Sequence, residues 1–174
     1  MIMPDVDSLE GGGPDWREPQ SLPALERPLH WDWLVETGSL TERIATDLGS
    51  PLHVKLISER REPEDGALVR EVRLHVRHRP VVYALSRIPE PLLQELPWLA
   101  ELGEQPMGER LFEIPGTYRE RLRLAQLAPD EPLVRSAFDG LDENPRGIWA
   151  RVSRLVMRDS PITITECFLC GDPG

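Results

Sequence analysis

Basic residues are outnumbered: 20 Lys and Arg stand against 30 Asp and Glu, for a formal net charge of −10 and a pI near 4.9. That argues against a phosphate-backbone partner, since nucleic-acid binding rests on a basic stripe. Cysteine is almost absent. The two that occur form Cys167-Phe168-Leu169-Cys170, and without a second pair, two of the four ligands of a structural zinc site are missing, so reduced thiols are expected. His75 and His78 fall on opposite faces of a strand or in a turn, which disfavours a metal site there too. No apolar run approaches the length of a membrane span. Met1 to Asp7 has neither the basic start nor the apolar run of a secretory signal, and a cytoplasmic protein is expected. The glycines form no phosphate-cradling loop between a strand and a helix, and there is no Gly-x-Ser-x-Gly elbow.

What is present suits one domain: 174 residues, 40% hydrophobic and 29% charged. Residues 1–28, rich in proline and acid and holding Gly11-Gly12-Gly13, read as a flexible arm, along which Leu22, Leu25 and Leu29 could touch the domain of residues 29–174. Trp31 and Trp33 begin the folded part. Ser39-Leu40-Thr41-Glu42 has the form of a capping box, and Leu40, Ile44, Leu48 and then Gly49 predict a helix over 40–48. Leu52, Val54 and Leu56 alternate as a half-buried strand, followed by a charged loop over 60–66. Leu68 to Val76 and Val81 to Ile88 read as a hairpin around Arg77-His78-Arg79-Pro80. A helix is expected through Leu92, Leu93, Leu96 and Leu99 to Gly103 with a kink at Pro97, and a short one over 106–112. Residues 118–127 fit strand or helix, and 128–147 read as loop with a helical turn near 136–141. Strands are expected over 149–157 and 162–169, and the whole predicts an antiparallel α+β domain.

Two strands carry a charge on their apolar side. Leu68, Arg70, Val72, Leu74 and Val76 share one face of theirs; Ile162, Ile164, Glu166 and Phe168 share one face of the last. A guanidinium is costly to bury alone, so an inward Arg70 predicts an anion inside. Either Arg70 and Glu166 form a buried structural ion pair, or they belong to a pocket. In the pocket reading Arg70 grips a substrate carboxylate and Glu166 exchanges a proton. The run Arg119 to Arg123 reads as a solvated face.

In order, Gly38-Ser39-Leu40-Thr41-Glu42-Arg43, Arg70-Glu71-Val72-Arg73-Leu74, Val82-Tyr83-Ala84 to Ile88-Pro89, Leu102 to Gly108 with Leu111-Phe112, Ile148 to Ser153, and Thr165-Glu166-Cys167-Phe168-Leu169 resemble the chorismate lyases. These are the chorismate pyruvate-lyases of bacterial ubiquinone synthesis, and the resemblance covers roughly residues 30–170. It implies a six-stranded antiparallel sheet with helical flaps over a buried site, and a cofactor-free conversion of chorismate to 4-hydroxybenzoate and pyruvate. It assigns the ring carboxylate to Arg70, the reacting side of the ligand to Glu166, and flap contacts to Leu40 and Met107; a monomer without metal is expected. The chain departs from the family pattern at Leu85, where an arginine is usual and Arg87 could substitute, at Val152 and at Cys170. Its segment over 128–147 is also longer. A sensor-like module of the same fold that binds a small aromatic acid, or a lyase shifted to another carboxylated ring, are the alternative readings.

Overall fold

A computed structural model describes residues 14–170. Six strands, β1 (Leu52–Arg61), β2 (Leu68–Val76), β3 (Arg79–Ile88), β4 (Tyr118–Leu127), β5 (Ile148–Met157) and β6 (Ser160–Phe168), form one sheet in the order β1-β2-β3-β6-β5-β4. Every neighbouring pair is antiparallel. The α+β class and the antiparallel sheet expected from the sequence are those of the structure.

Alternation along the central strands gives the sheet two buried faces. One carries Arg70, Val72 and Leu74 of β2, Val82, Ala84 and Ile88 of β3, and Ile164, Glu166 and Phe168 of β6. Helices α1 (Trp31–Leu34), α2 (Leu40–Leu48), α3 (Glu90–Glu95) and α4 (Met107–Phe112) cover it. The other carries Val69, Tyr83, Leu85, Ala150 and Cys167 under α5 (Pro132–Phe138). No helix among the described residues is long and apolar enough to cross a membrane.

Helix α2 starts where the capping box places it: the Glu42 N–H donates to Ser39 Oγ at 3.3 Å, and Gly49, at φ 57°, ends it in the left-handed conformation that glycine adopts without a steric penalty. The helix expected through Leu92 to Gly103 is not merely kinked. Glu95 ends α3, Leu96 takes φ −127° and ψ 72°, and Pro97 opens a separate 3₁₀ turn over Pro97–Glu101. Proline has no N–H to continue the ladder and keeps the preceding residue out of the α region. Strand β1 extends five residues past Leu56 into the stretch read as loop, and the helical turn of 128–147 is α5, earlier than expected.

The ambiguous segment 118–127 is strand β4, with a bulge: Glu120 faces Arg154 while Arg123 faces Val152, so β4 has one residue extra, and Arg121 sits at φ 49°. One inserted residue reverses the side to which all earlier residues point. Of the arm, residues 1–13 lie outside the described part. Arg17 exchanges two backbone hydrogen bonds of 2.8 Å with Leu124, and Leu22 is buried, whereas Leu25 and Leu29 are exposed.

Candidate active site

Cross-strand register brings distant residues into rows. Arg70 lies opposite Ser86, Ser86 opposite Ile164, and Ile164 opposite Ser153. In the next row Val72, Ala84, Glu166 and Arg151 follow one another, with Leu124 beyond. A cavity opens between these rows and the helices. Arg70, Val72, Ala84, Ser86, Ile164 and Glu166 form its floor, Leu40 and Thr41 close it from α2, and Gln105 to Gly108 close it from the start of α4. Arg119 of β4 forms part of its wall. The four residues singled out from the sequence, Arg70, Glu166, Leu40 and Met107, thus line one cavity.

Arg70 and Glu166 are not partners, contrary to the ion-pair reading. The Arg70 side chain, 3% exposed, donates from Nη1 to Glu59 Oε1 at 2.5 Å and from Nη2 to the carbonyls of Gly103 and Gln105 at 2.6 and 3.3 Å. It holds the loop that leads into α4. Glu166 instead accepts from Arg151 Nε at 2.5 Å and lies 3.8 Å from Arg119 Nη1. Arg151 in turn donates from Nη1 to the carbonyls of Trp33, Leu34 and Glu36 at 2.9, 3.3 and 2.8 Å, tying the α1–α2 connection to the acid. Burial alone would raise the Glu166 carboxyl, but the charges of Arg151 and Arg119 and the Arg151 hydrogen bond outweigh it and hold the group below its ordinary value. Glu166 is ionised at neutral pH.

Three site residues escaped the sequence reading. Glu59 fell between the strand read through Leu56 and the loop read from Arg60; it belongs to β1. Arg119, read as solvated, is turned inward by the bulge: its side chain is 3% exposed and donates to Ser153 Oγ at 2.5 Å. Arg151 had a visible signal, an arginine inside the otherwise apolar run Ile148 to Val152. The departures at Leu85 and Val152 do not touch the cavity. Leu85 is fully buried in the α5-side core and lies opposite Thr165, which pairs in turn with Val152 on that same face. Arg87 pairs with Glu62 and Asp65 and is no substitute inside the cavity. Cys167 and Cys170 are free thiols, and among the described residues no group of three His, Cys, Asp or Glu could hold a metal ion.

Known proteins share this fold and much of this sequence. The effector domain of PhnF from Mycobacterium smegmatis has the same fold, with a TM-score of 0.52, 16% identity, and coverage of 82% of this chain and 91% of that one. A protein of Nitrosomonas europaea named probable chorismate pyruvate-lyase is 35% identical over 158 residues, 81% of this chain and 86% of its own length. Its namesake in Halorhodospira halophila is 36% identical over 160 residues, 84% of each chain. The family model described as chorismate lyase matches residues 14–173. Similarity along nearly the whole chain makes this protein a member of the chorismate lyase family.

Proposed function

We propose that the chain converts chorismate to 4-hydroxybenzoate and pyruvate, with Arg70 and Glu166 as its catalytic residues. The observation that carries the reading is the separation of charge inside one cavity: an arginine at one end and an ionised acid, held by its own arginines, at the other. A monocarboxylate ring with a hydroxyl opposite its carboxylate complements that polarity.

The ring carboxylate takes the Arg70 guanidinium, whose planar fork suits a carboxylate. Glu59, already on Nη1, keeps the fork oriented. The hydroxyl opposite then donates to Glu166, an acceptor in its ionised form. The reaction breaks the bond between the ring and the ether oxygen, on the carbon beside the one that bears the hydroxyl. The hydrogen on that hydroxyl-bearing carbon leaves as a proton, the ring becomes aromatic, and the proton ends on the methylene of the departing enol, giving pyruvate. Aromatisation drives the step, so the protein chiefly orients and shields the substrate. A carboxylate held below its usual range is a poor proton store, which favours Glu166 as orienting group and transient relay. Leu40 and Met107 press the ring from the two covers, no cofactor takes part, and the chain works as a monomer. The free thiols suit a cytoplasmic setting.

The test is incubation of the protein with chorismate alone. Equal release of 4-hydroxybenzoate and pyruvate, lost in Glu166→Ala and Arg70→Ala, is expected. Binding of 4-hydroxybenzoate without turnover of chorismate would replace the lyase by a binding module.

A further inference from the structure

Two guanidiniums share one carboxylate at the Glu166 end of the cavity. The Arg151 side chain is fully buried and that of Arg119 is 3% exposed. Glu36, another acid whose field reaches Arg119, is engaged by Arg43 at 3.8 Å and by the Gly38 N–H at 2.7 Å. One buried positive charge is therefore left over, and a buried charge without a counterion is costly. The surplus is also visible as hydrogen-bonding capacity: Arg119 Nε and Arg151 Nη2 are both buried without a hydrogen-bond partner, where nearly all such groups are paired. Of the two residues, Arg119 forms part of the cavity wall.

Its position is set from two sides. Ser153 Oγ accepts from Nη1 at 2.5 Å, and Glu166 stands 3.8 Å away. Arg70 and Ser153 end the same cross-strand row, three strand spacings or roughly 14 Å apart along the sheet. Arg70 and Arg119, the latter held by Ser153, thus enter the cavity from opposite ends of that row.

We propose that Arg119 binds the second carboxylate of the substrate, the one carried by the enolpyruvyl group, and so makes the site selective for a dianion. The inference rests on the lyase reading. With the ring carboxylate on Arg70 and the hydroxyl on Glu166, the enolpyruvyl ether falls on the neighbouring ring carbon, beside Glu166, where Arg119 stands. As the ring–oxygen bond breaks, its electron pair leaves with the ether oxygen, and the departing enolpyruvate gains charge next to the guanidinium. The contact therefore strengthens toward the transition state. Burial and then Arg151 push the Arg119 pKa down to about 10, which still leaves a cation at neutral pH.

The experiment compares chorismate kinetics with titration of 4-hydroxybenzoate, which lacks the second carboxylate, in wild type, Arg119→Met and Arg119→Lys. The Met variant keeps Arg151 and Glu166 as a balanced pair; Lys keeps the charge without the fork and serves should Met fail to fold. In Arg119→Met, kcat/KM for chorismate falls about 10- to 100-fold, the scale of one charge-assisted hydrogen bond, while the Kd of 4-hydroxybenzoate is unchanged and Lys lies between. Equal losses for both ligands, or no loss for either, would overturn the assignment. If the wild type binds 4-hydroxybenzoate yet leaves chorismate intact, the lyase reading fails by itself. The affinity of chorismate, read by competition with 4-hydroxybenzoate, then tests Arg119 through the same ratio.

Discussion

Both faces of the sheet bury arginine, and in both it fastens backbone carbonyls, but only the helical-cover face sets it against a buried acid. On the α5 face Arg73, 8% exposed, donates to the carbonyls of Ser136, Ala137 and Asp139 at the end of α5. Those are the carbonyls a helix terminus leaves unpaired, so Arg73 acts as a fastener. On the helical-cover face Arg119 and Arg151 crowd one acid and leave buried donors unpartnered. Arg70 there shares its fork between a partly exposed acid and two carbonyls. Burial and residue type are the same on the two faces. On the cover face the guanidiniums of Arg119 and Arg151 crowd one acid beside a cavity, whereas Arg73 meets carbonyls at a helix end.

The comparison is broken most severely at Glu166. Glu166→Ala leaves Arg151 and Arg119 buried without an anion, and a loss of roughly 3–5 kcal/mol in unfolding free energy is expected by urea titration, together with loss of turnover. Unchanged stability would mean that the two guanidiniums are hydrated. Arg70→Ala comes next: 4-hydroxybenzoate binding should weaken by about 100-fold in calorimetric titration, the cost of a lost charged fork. Its stability loss should be smaller than that of Glu166→Ala, because Glu59 is 23% exposed and can turn to water.

Arg73→Met probes the other face. Stability should drop by about 1–3 kcal/mol as the α5 carbonyls lose their donor, with chorismate turnover unchanged. A change in turnover at equal folded fraction would show that the faces communicate. The smallest effect concerns pH. The folded Glu166 pKa lies below the ordinary carboxyl value of 4.5, so its stabilising contribution is fully present above that value and is lost as pH falls through the lower folded pKa. In Arg119→Met one lowering charge is gone, and the acid limb of stability should move to higher pH, measured as thermal unfolding across pH 3–6. An acid limb that stays in place would show Arg151 alone controls the carboxyl.

Much of the site was legible because alternation is local. Arg70 among Leu68, Val72 and Leu74, and Glu166 among Ile164 and Phe168, announce an inward charge without reference to any other strand. The α2 helix was equally plain, since Ser39 and Gly49 carry its start and stop within ten residues of each other. Arg119 was hidden for the same reason in reverse. Leu122 and Leu124 alternate with Arg121 and Arg123, and only the extra residue at the bulge carries Arg119 across to the cavity.

The amino-acid sequence by itself determined every strand but β4, that the sheet is antiparallel, and that two strands hold a charge on their apolar side, since hydrophobic period, turn residues and caps act over a few positions. Tertiary structure decided which charge meets which. Glu166 and Arg151 are 15 residues apart, and Arg151 and the Trp33 carbonyl are 118 apart. Those contacts depend on β6 lying between β3 and β5 and on the register between them. The same order sends Leu85 and Val152 to the α5 face, away from the cavity, although in sequence each adjoins a residue of the site row: Ala84 and Arg151. Neighbours along a strand point to opposite faces, so only packing assigns them to the site or to the core.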